Sequence, residues 1–297
     1  MATLLVIGTG MIGSSFARAV RSAGSFNRIL GIDSGAEHLN SVLAAGVVDQ
    51  APEDFDQALR ETDAVLVATP VTDIPLQVAR IFRSAVVPKP VVFDTGSVKG
   101  FILREIEAEL GHIPEWFVPA HPIAGKERHG PEAGDGELFF DHRVILTPVA
   151  ATDSGALEKV RGWWQACGAE VETLDVVEHD RLLGLTSHLP HLLSFTFMEW
   201  IARTGGDPAF RYAAGGFRDF TRVAESDPAL WREIFETNRG FLLKHLDSWL
   251  ESAQEVRTQL VHREWGDLEA LLRKAQQARL TYRSVLVDAP STDGDTG

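Results

Sequence analysis

The stretch Leu4-Leu5-Val6-Ile7-Gly8-Thr9-Gly10-Met11-Ile12-Gly13 governs how the rest of the chain is read. Four consecutive apolar residues suit a strand buried on both faces of a parallel sheet. Gly-x-Gly-x-x-Gly follows at once, and a helical pattern occupies residues 14–23. In that setting Gly8 permits a tight turn, Gly10 lets a pyrophosphate approach the backbone, and Gly13 lets helix and strand pack closely. The helix start then aims its N–H groups and positive dipole end at the phosphates. The next strand ends in Gly31-Ile32-Asp33, and Asp33 stands 20 residues beyond Gly13. A carboxylate there accepts hydrogen bonds from an adenosine ribose. The pattern predicts a dinucleotide site built from Gly8, Thr9, Gly10, Met11, Ile12, Gly13 and Asp33. A 2′-phosphate would be repelled by Asp33, and Ser34 and Gly35 offer no compensating base, so NAD is expected rather than NADP.

The chain has 297 residues, enough for two cores. Its net charge of −14 argues against nucleic acid or an anionic membrane as partner. One cysteine, Cys167, excludes an intrachain disulfide and fits a reducing compartment. The N-terminus runs straight into the first strand, leaving no room for a signal peptide, and no apolar run reaches the roughly 20 residues of a membrane helix. A cytoplasmic location is expected.

Strand patterns at 4–7, 28–32, 64–68, 91–94, 117–119 and 144–147 alternate with helical ones, and a further helix and strand follow at 154–167 and 169–173. This predicts an α/β fold, a Rossmann-like doubly wound parallel sheet, over residues 1–174. From residue 175 the periodicity is helical throughout, with helices expected at 178–204, 208–225, 228–251 and 253–280. Residues 175–287 read as an all-helical domain for substrate binding and dimerisation. The small, acidic residues 288–297 read as a disordered tail.

Ligands of open α/β sheets sit beyond the carboxyl ends of the strands. Thr69 and Pro70 follow the third strand and are expected near the cofactor. Ser97, in Asp94-Thr95-Gly96-Ser97-Val98-Lys99, is read both as a helix cap and as a hydroxyl offered to the pocket. His121 follows the fifth strand, where an imidazole can take the proton of an alcohol losing hydride. His188 and His191 stand three apart, but without a cysteine pair or further ligands they do not make a metal site.

Together with Gly8-Thr9-Gly10-Met11-Ile12-Gly13, four further stretches carry a resemblance. They are Asp94 to Lys99, His121-Pro122-Ile123-Ala124-Gly125-Lys126-Glu127, Ser187-His188-Leu189-Pro190-His191 and Gly216-Phe217-Arg218-Asp219-Phe220-Thr221-Arg222. In this order the chain resembles the prephenate/arogenate dehydrogenase family of tyrosine biosynthesis, from residue 4 to about 280. The resemblance implies that His121 accepts the C4 hydroxyl proton of a cyclohexadienol while hydride passes to NAD and CO2 leaves. It implies that Ser97 holds His121 or the hydroxyl and also borders the cofactor. Arg222, with Arg218 beside it, would bind a substrate carboxylate, oriented by Glu127 and Asp219. His188 and His191 would line the pocket, and Asp180 and Trp231 match positions that can reach a pocket from a partner subunit. Lys126, where many members carry a small hydroxyl residue, either faces the substrate side chain, favouring prephenate, or points to solvent. The rivals are a 4-amino-4-deoxyprephenate dehydrogenase, a β-hydroxyacid dehydrogenase and a nucleotide-sensing regulator.

Overall fold

The computed structural model describes residues 2–125 and 130–287. The opening stretch folds as its spacing predicts: β1 (Thr3–Ile7) is buried along its whole length, and α1 (Met11–Ser22) starts directly after the glycines. There follow β2 (Arg28–Ile32), α2 (Ala36–Ala44), α3 (Phe55–Arg60), β3 (Ala64–Val67), α4 (Ile74–Arg83), β4 (Val91–Asp94), α5 (Lys99–Leu110) and β5 (Phe117–Val118). The five strands form one parallel sheet in the order β2-β1-β3-β4-β5. The alternation of β1 divides the core. Leu4 and Val6 pack with Phe16, Val20 and Phe93 on one face, and Leu5 and Ile7 with Val65, Val78 and Ile102 on the other. Each such side chain removed from water contributes roughly 1.5–3 kcal/mol.

The fifth strand is shorter than expected and a strand escapes the sequence pattern. Pro119 has no N–H for the ladder, and its carbonyl accepts from Thr147 N at 3.0 Å. The chain there leaves the large sheet and forms β6 (Ala120–Pro122). This strand pairs antiparallel with β7 (Arg143–Leu146), which after α6 (Ser154–Ala166) pairs parallel with β8 (Glu170–Thr173). The later strands therefore build a second, three-stranded sheet, and His121 lies within a strand, opposite Ile145.

Helices then take over: α7 (Val176–Leu183), a π-helical turn (Gly184–His188), α8 (Leu189–Arg211), α9 (Gly215–Thr221), α10 (Pro228–Thr237), α11 (Arg239–His262) and α12 (Trp265–Val287). They are cut more finely than the periodicity suggests. The Gly205-Gly206 break is a kink inside α8, with Gly206 at φ 56°. Further breaks fall after Arg211, at Asn238 and at Arg263, whose φ is 59°. The chain divides into two compact units, residues 1–239 and residues 240 onward. In the second, Leu243, Trp249, Leu250, Trp265, Leu272 and Leu280 are exposed on the two long helices. The segment 288–297 lies outside the described residues. No helix among the described residues is long and apolar enough to cross a membrane.

Candidate active site

Two helix starts at the carboxyl ends of parallel strands define the site. At the first, Gly10 caps α1 with no side-chain hydrogen bond, and a Cβ built on it would meet nothing within 4 Å. Gly8 (φ 94°) and Gly13 have no such room: a Cβ on Gly8 would strike the Ala68 carbonyl, and one on Gly13 the Gly8 carbonyl. Asp33 shapes the turn. Its Oδ2 accepts from Thr9 N at 2.6 Å and Thr9 Oγ1 at 2.9 Å, and its Oδ1 from Gly35 N at 2.8 Å. Thr69 Oγ1 is buried without a hydrogen-bond partner, and Pro70 beside it is exposed. An open helix start, a glycine a side chain would crowd only from the ligand side, a strand-end carboxylate and an orphaned hydroxyl fit a dinucleotide.

The second helix start, that of α5, is filled. Ser97 does not cap it; the helix begins at Lys99 after Val98, with no cap from its own turn. Asp180, from α7, supplies the cap instead: Oδ1 accepts from Lys99 N at 2.9 Å and Oδ2 from Gly100 N at 2.8 Å. The Lys99 side chain turns the other way, fully buried. Its Nζ donates to Asp94 Oδ2 and to the Ala120 carbonyl, both at 2.6 Å, while Asp94 Oδ1 accepts from Ala120 N at 3.0 Å. The buried ion pair thus grips both backbone groups of the residue before His121. Burial pushes the Lys99 ammonium's pKa down, against the charge of Asp94.

His121 Nδ1 lies 2.9 Å from His179 Nε2, and His179 Nδ1 lies 2.8 Å from Asp180 Oδ1. Asn238 donates through Nδ2 to the Asp180 carbonyl at 2.9 Å and to His188 Nδ1 at 3.0 Å. His188 meets the edge of Trp231, and His191 stacks on that indole with ring centroids 3.6 Å apart. His191 Nδ1 donates to the Ser187 carbonyl at 2.8 Å. Burial lowers all four imidazole pKa values: His121 well below 6.5, His188 to about 4, and His179 and His191 also downward. Arg222 lies close enough for its charge to lower His191 further. All four rings are therefore held towards the neutral form at pH 7. Thr72 Oγ1 donates to Glu233 Oε2 at 3.1 Å, tying the turn after β3 to α10.

The fold thus brings His121, His188, His191, Trp231 and Asp180 into one connected group, with Arg222 near its rim. Three of the expected site residues find neighbours within this chain. Asp180 is 5% exposed and both its oxygens are engaged within this chain, so it is a cap and not a group reaching out to a pocket. Trp231 packs against the histidines of its own chain. The partner of His121 Nδ1 is His179, not Ser97, which is half-buried on the preceding turn. Arg218 and Asp219 are exposed on α9, and Lys126 and Glu127 lie outside the described residues. Sequence reasoning missed His179, Asn238 and the Asp94 and Lys99 strap. Among the described residues no three His, Cys, Asp or Glu side chains cluster to hold a metal ion.

Residues 16–173 match the family model "Prephenate dehydrogenase, nucleotide-binding domain", and residues 175–274 match "Prephenate dehydrogenase, dimerization domain". The chain belongs to the prephenate dehydrogenase family. It is 35% identical to the cyclohexadienyl dehydrogenase of Zymomonas mobilis, over 95% of this chain and 96% of that one. Among solved structures, the prephenate dehydrogenase of A. aeolicus in complex with hydroxyphenyl propionate and NAD+ superposes with a TM-score of 0.87 at 31% identity, covering 95% of this chain and 98% of that one. The arogenate dehydrogenase of Synechocystis superposes with a TM-score of 0.79 at 25% identity, covering 94% and 99%. As a member of this family the protein is an NAD-dependent dehydrogenase of oxidative decarboxylation in tyrosine biosynthesis. That sets aside the β-hydroxyacid dehydrogenase and the nucleotide sensor.

Proposed function

We propose that the protein converts prephenate to 4-hydroxyphenylpyruvate and CO2, takes arogenate as a second substrate, and uses His121 as its base. The observation that carries this reading is His121 itself. It sits on a pinned strand and is kept unprotonated by burial, and no group among the described residues bonds its Nε2. A neutral imidazole with a free lone pair suits the removal of a hydroxyl proton. NAD, held by Gly8, Thr9, Gly10, Met11, Ile12, Gly13, Asp33, Thr69, Pro70 and Ser97, supplies the acceptor for the C4 hydride. The O–H proton goes to His121 Nε2. The C1–CO2 bond then breaks, and its electron pair aromatises the ring. Arg222 receives a substrate carboxylate in its planar fork, with Arg218 beside it and Glu127 and Asp219 as its orienting acids. His188 and His191 line the ring side, walled by Trp231.

The exposed apolar residues of α11 and α12 support a homodimer, since a surface of this kind is buried against a second copy more often than left in water.

The test is NADH production from prephenate, arogenate and 4-amino-4-deoxyprephenate side by side, in the wild type and in His121→Asn. Turnover of prephenate and arogenate is expected, with a roughly thousandfold lower kcat and unchanged NAD affinity in the variant. Full activity of His121→Asn, or turnover of the amino substrate alone, would defeat the reading.

A further inference from the structure

We infer that His179 and Asp180 are positioning residues that fix the tautomer of His121, so that its Nε2 always presents a lone pair to the substrate. The inference rests on the reading of His121 as the base.

The argument is a chain of forced hydrogen-bond roles. An ionised carboxylate can only accept. Asp180 is held in that role by α5, because its oxygens already receive Lys99 N and Gly100 N and the helix dipole favours a negative charge at that point. His179 Nδ1, 2.8 Å from Asp180 Oδ1, must therefore carry the proton and donate it. Burial holds His179 towards its neutral form, so its Nε2 is then an acceptor. His121 Nδ1, 2.9 Å from that nitrogen, must in turn be the donor. What remains is His121 Nε2, bare of a proton. If either link were reversed, Nε2 would carry the hydrogen and no base would face the alcohol.

The same helix start controls the ring from its other side. The Lys99 backbone N–H binds Asp180, while its Nζ binds the Ala120 carbonyl next to His121. One residue therefore anchors both ends of a closed path that runs from Lys99 through Asp180, His179 and His121 to Ala120 and back. His179 is fully buried and Asp180 nearly so, so water does not compete for these bonds. No proton has to travel along the path. The proton taken from the alcohol stays on His121 Nε2 until loss of CO2 leaves a phenolate oxygen that takes it back, and meanwhile the carboxylate steadies the imidazolium through a neutral ring. This is the role of the orienting acid in serine-protease triads, with one more imidazole interposed.

Two variants and one spectrum test this. Leu at position 179 cannot accept from His121, whereas Gln places an amide oxygen near the lost Nε2 and an NH2 within reach of Asp180. His179→Leu should lower kcat roughly a hundredfold or more, with KM and NAD affinity unchanged, because a wrong tautomer in a triad costs about ten-thousandfold. His179→Gln should recover most of that loss. In 15N-histidine NMR, with the His121 signals assigned by their disappearance in His121→Asn, the wild type should show a protonated Nδ1 and a bare Nε2 at neutral pH. His179→Leu should shift population to the Nε2–H form. A wild-type His121 protonated on Nε2 would overturn the inference even if His179→Leu does not fold, and so would His179→Leu with kcat within roughly threefold of wild type. An active His121→Asn would sink the base assignment itself, a separate failure.

Discussion

Two helices begin at the carboxyl ends of β1 and β4, two parallel strands of one sheet separated by β3, and the protein treats them in opposite ways. The α1 start is left open, with a glycine cap and space beyond it. The α5 start is closed by the protein's own carboxylate, Asp180, carried in from the helical half of the chain. The physics is the same at both ends: unpaired N–H groups and a positive dipole end attract a negative group. Left open, that attraction is available to a cofactor phosphate. Filled from within, it becomes the fixed point behind the His121 imidazole, the proposed base.

The strongest way to break the comparison is Lys99→Met. It strips the filled end of its strap and leaves Asp94 charged and buried, which should cost about 3–5 kcal/mol of unfolding free energy in urea titrations. A much smaller loss would mean that the backbone alone holds β6. Acid comes next. His188 is held at about 4 in the fold and returns to 6.5 when unfolded. The unfolded chain therefore binds more protons between those values. Stability should be intact above pH 6.5 and decline as pH falls towards 4, by about 3 kcal/mol for this residue alone. The depressed values of His121 and His179 act with the same sign. Because these rings adjoin α5 and α7, hydrogen exchange at low pH should open the filled end before α1.

A matched pair sharpens the contrast. A Cβ on Gly100 would lie 2.8 Å from Asp180 Oδ2. Gly100→Ala should therefore cost about 1–3 kcal/mol and lower kcat while sparing NAD affinity. Gly10→Ala should leave thermal stability intact, since its Cβ meets no protein atom, yet weaken NAD binding about tenfold in a fluorescence titration. Equal effects of the two changes would erase the distinction between the ends.

The open end was legible in the sequence because everything it needs is local: a four-residue apolar run, three glycines and an acid at fixed spacing. The filled end was legible only as parts. Asp94, Lys99 and His121 stand in stretches that drew notice, but a buried lysine is invisible until its acceptor, the Ala120 carbonyl 21 residues on, comes into place. His179, beside Asp180, carries no motif of its own, and only the fold brings it to a ring 58 residues away. Pro119 was read as a strand residue, whereas its missing N–H ends one sheet and starts another. In each case the deciding bond joins segments distant in sequence, so no local pattern could encode it.

The π-helical turn at Gly184–His188 accommodates one more residue per turn than the α-helix on either side. Everything beyond it is rotated by about 100° relative to an uninterrupted helix. Residues upstream keep phase with α5, where Asp180 docks, while residues downstream take their phase from Trp231, on which His191 lies. The extra residue is thus an angular offset written into the backbone, allowing one continuous rod to satisfy two differently oriented neighbours. Deleting a single residue of the turn would preserve the helix and every side chain on either side of it, yet aim one of the two histidine-bearing segments away from its counterpart.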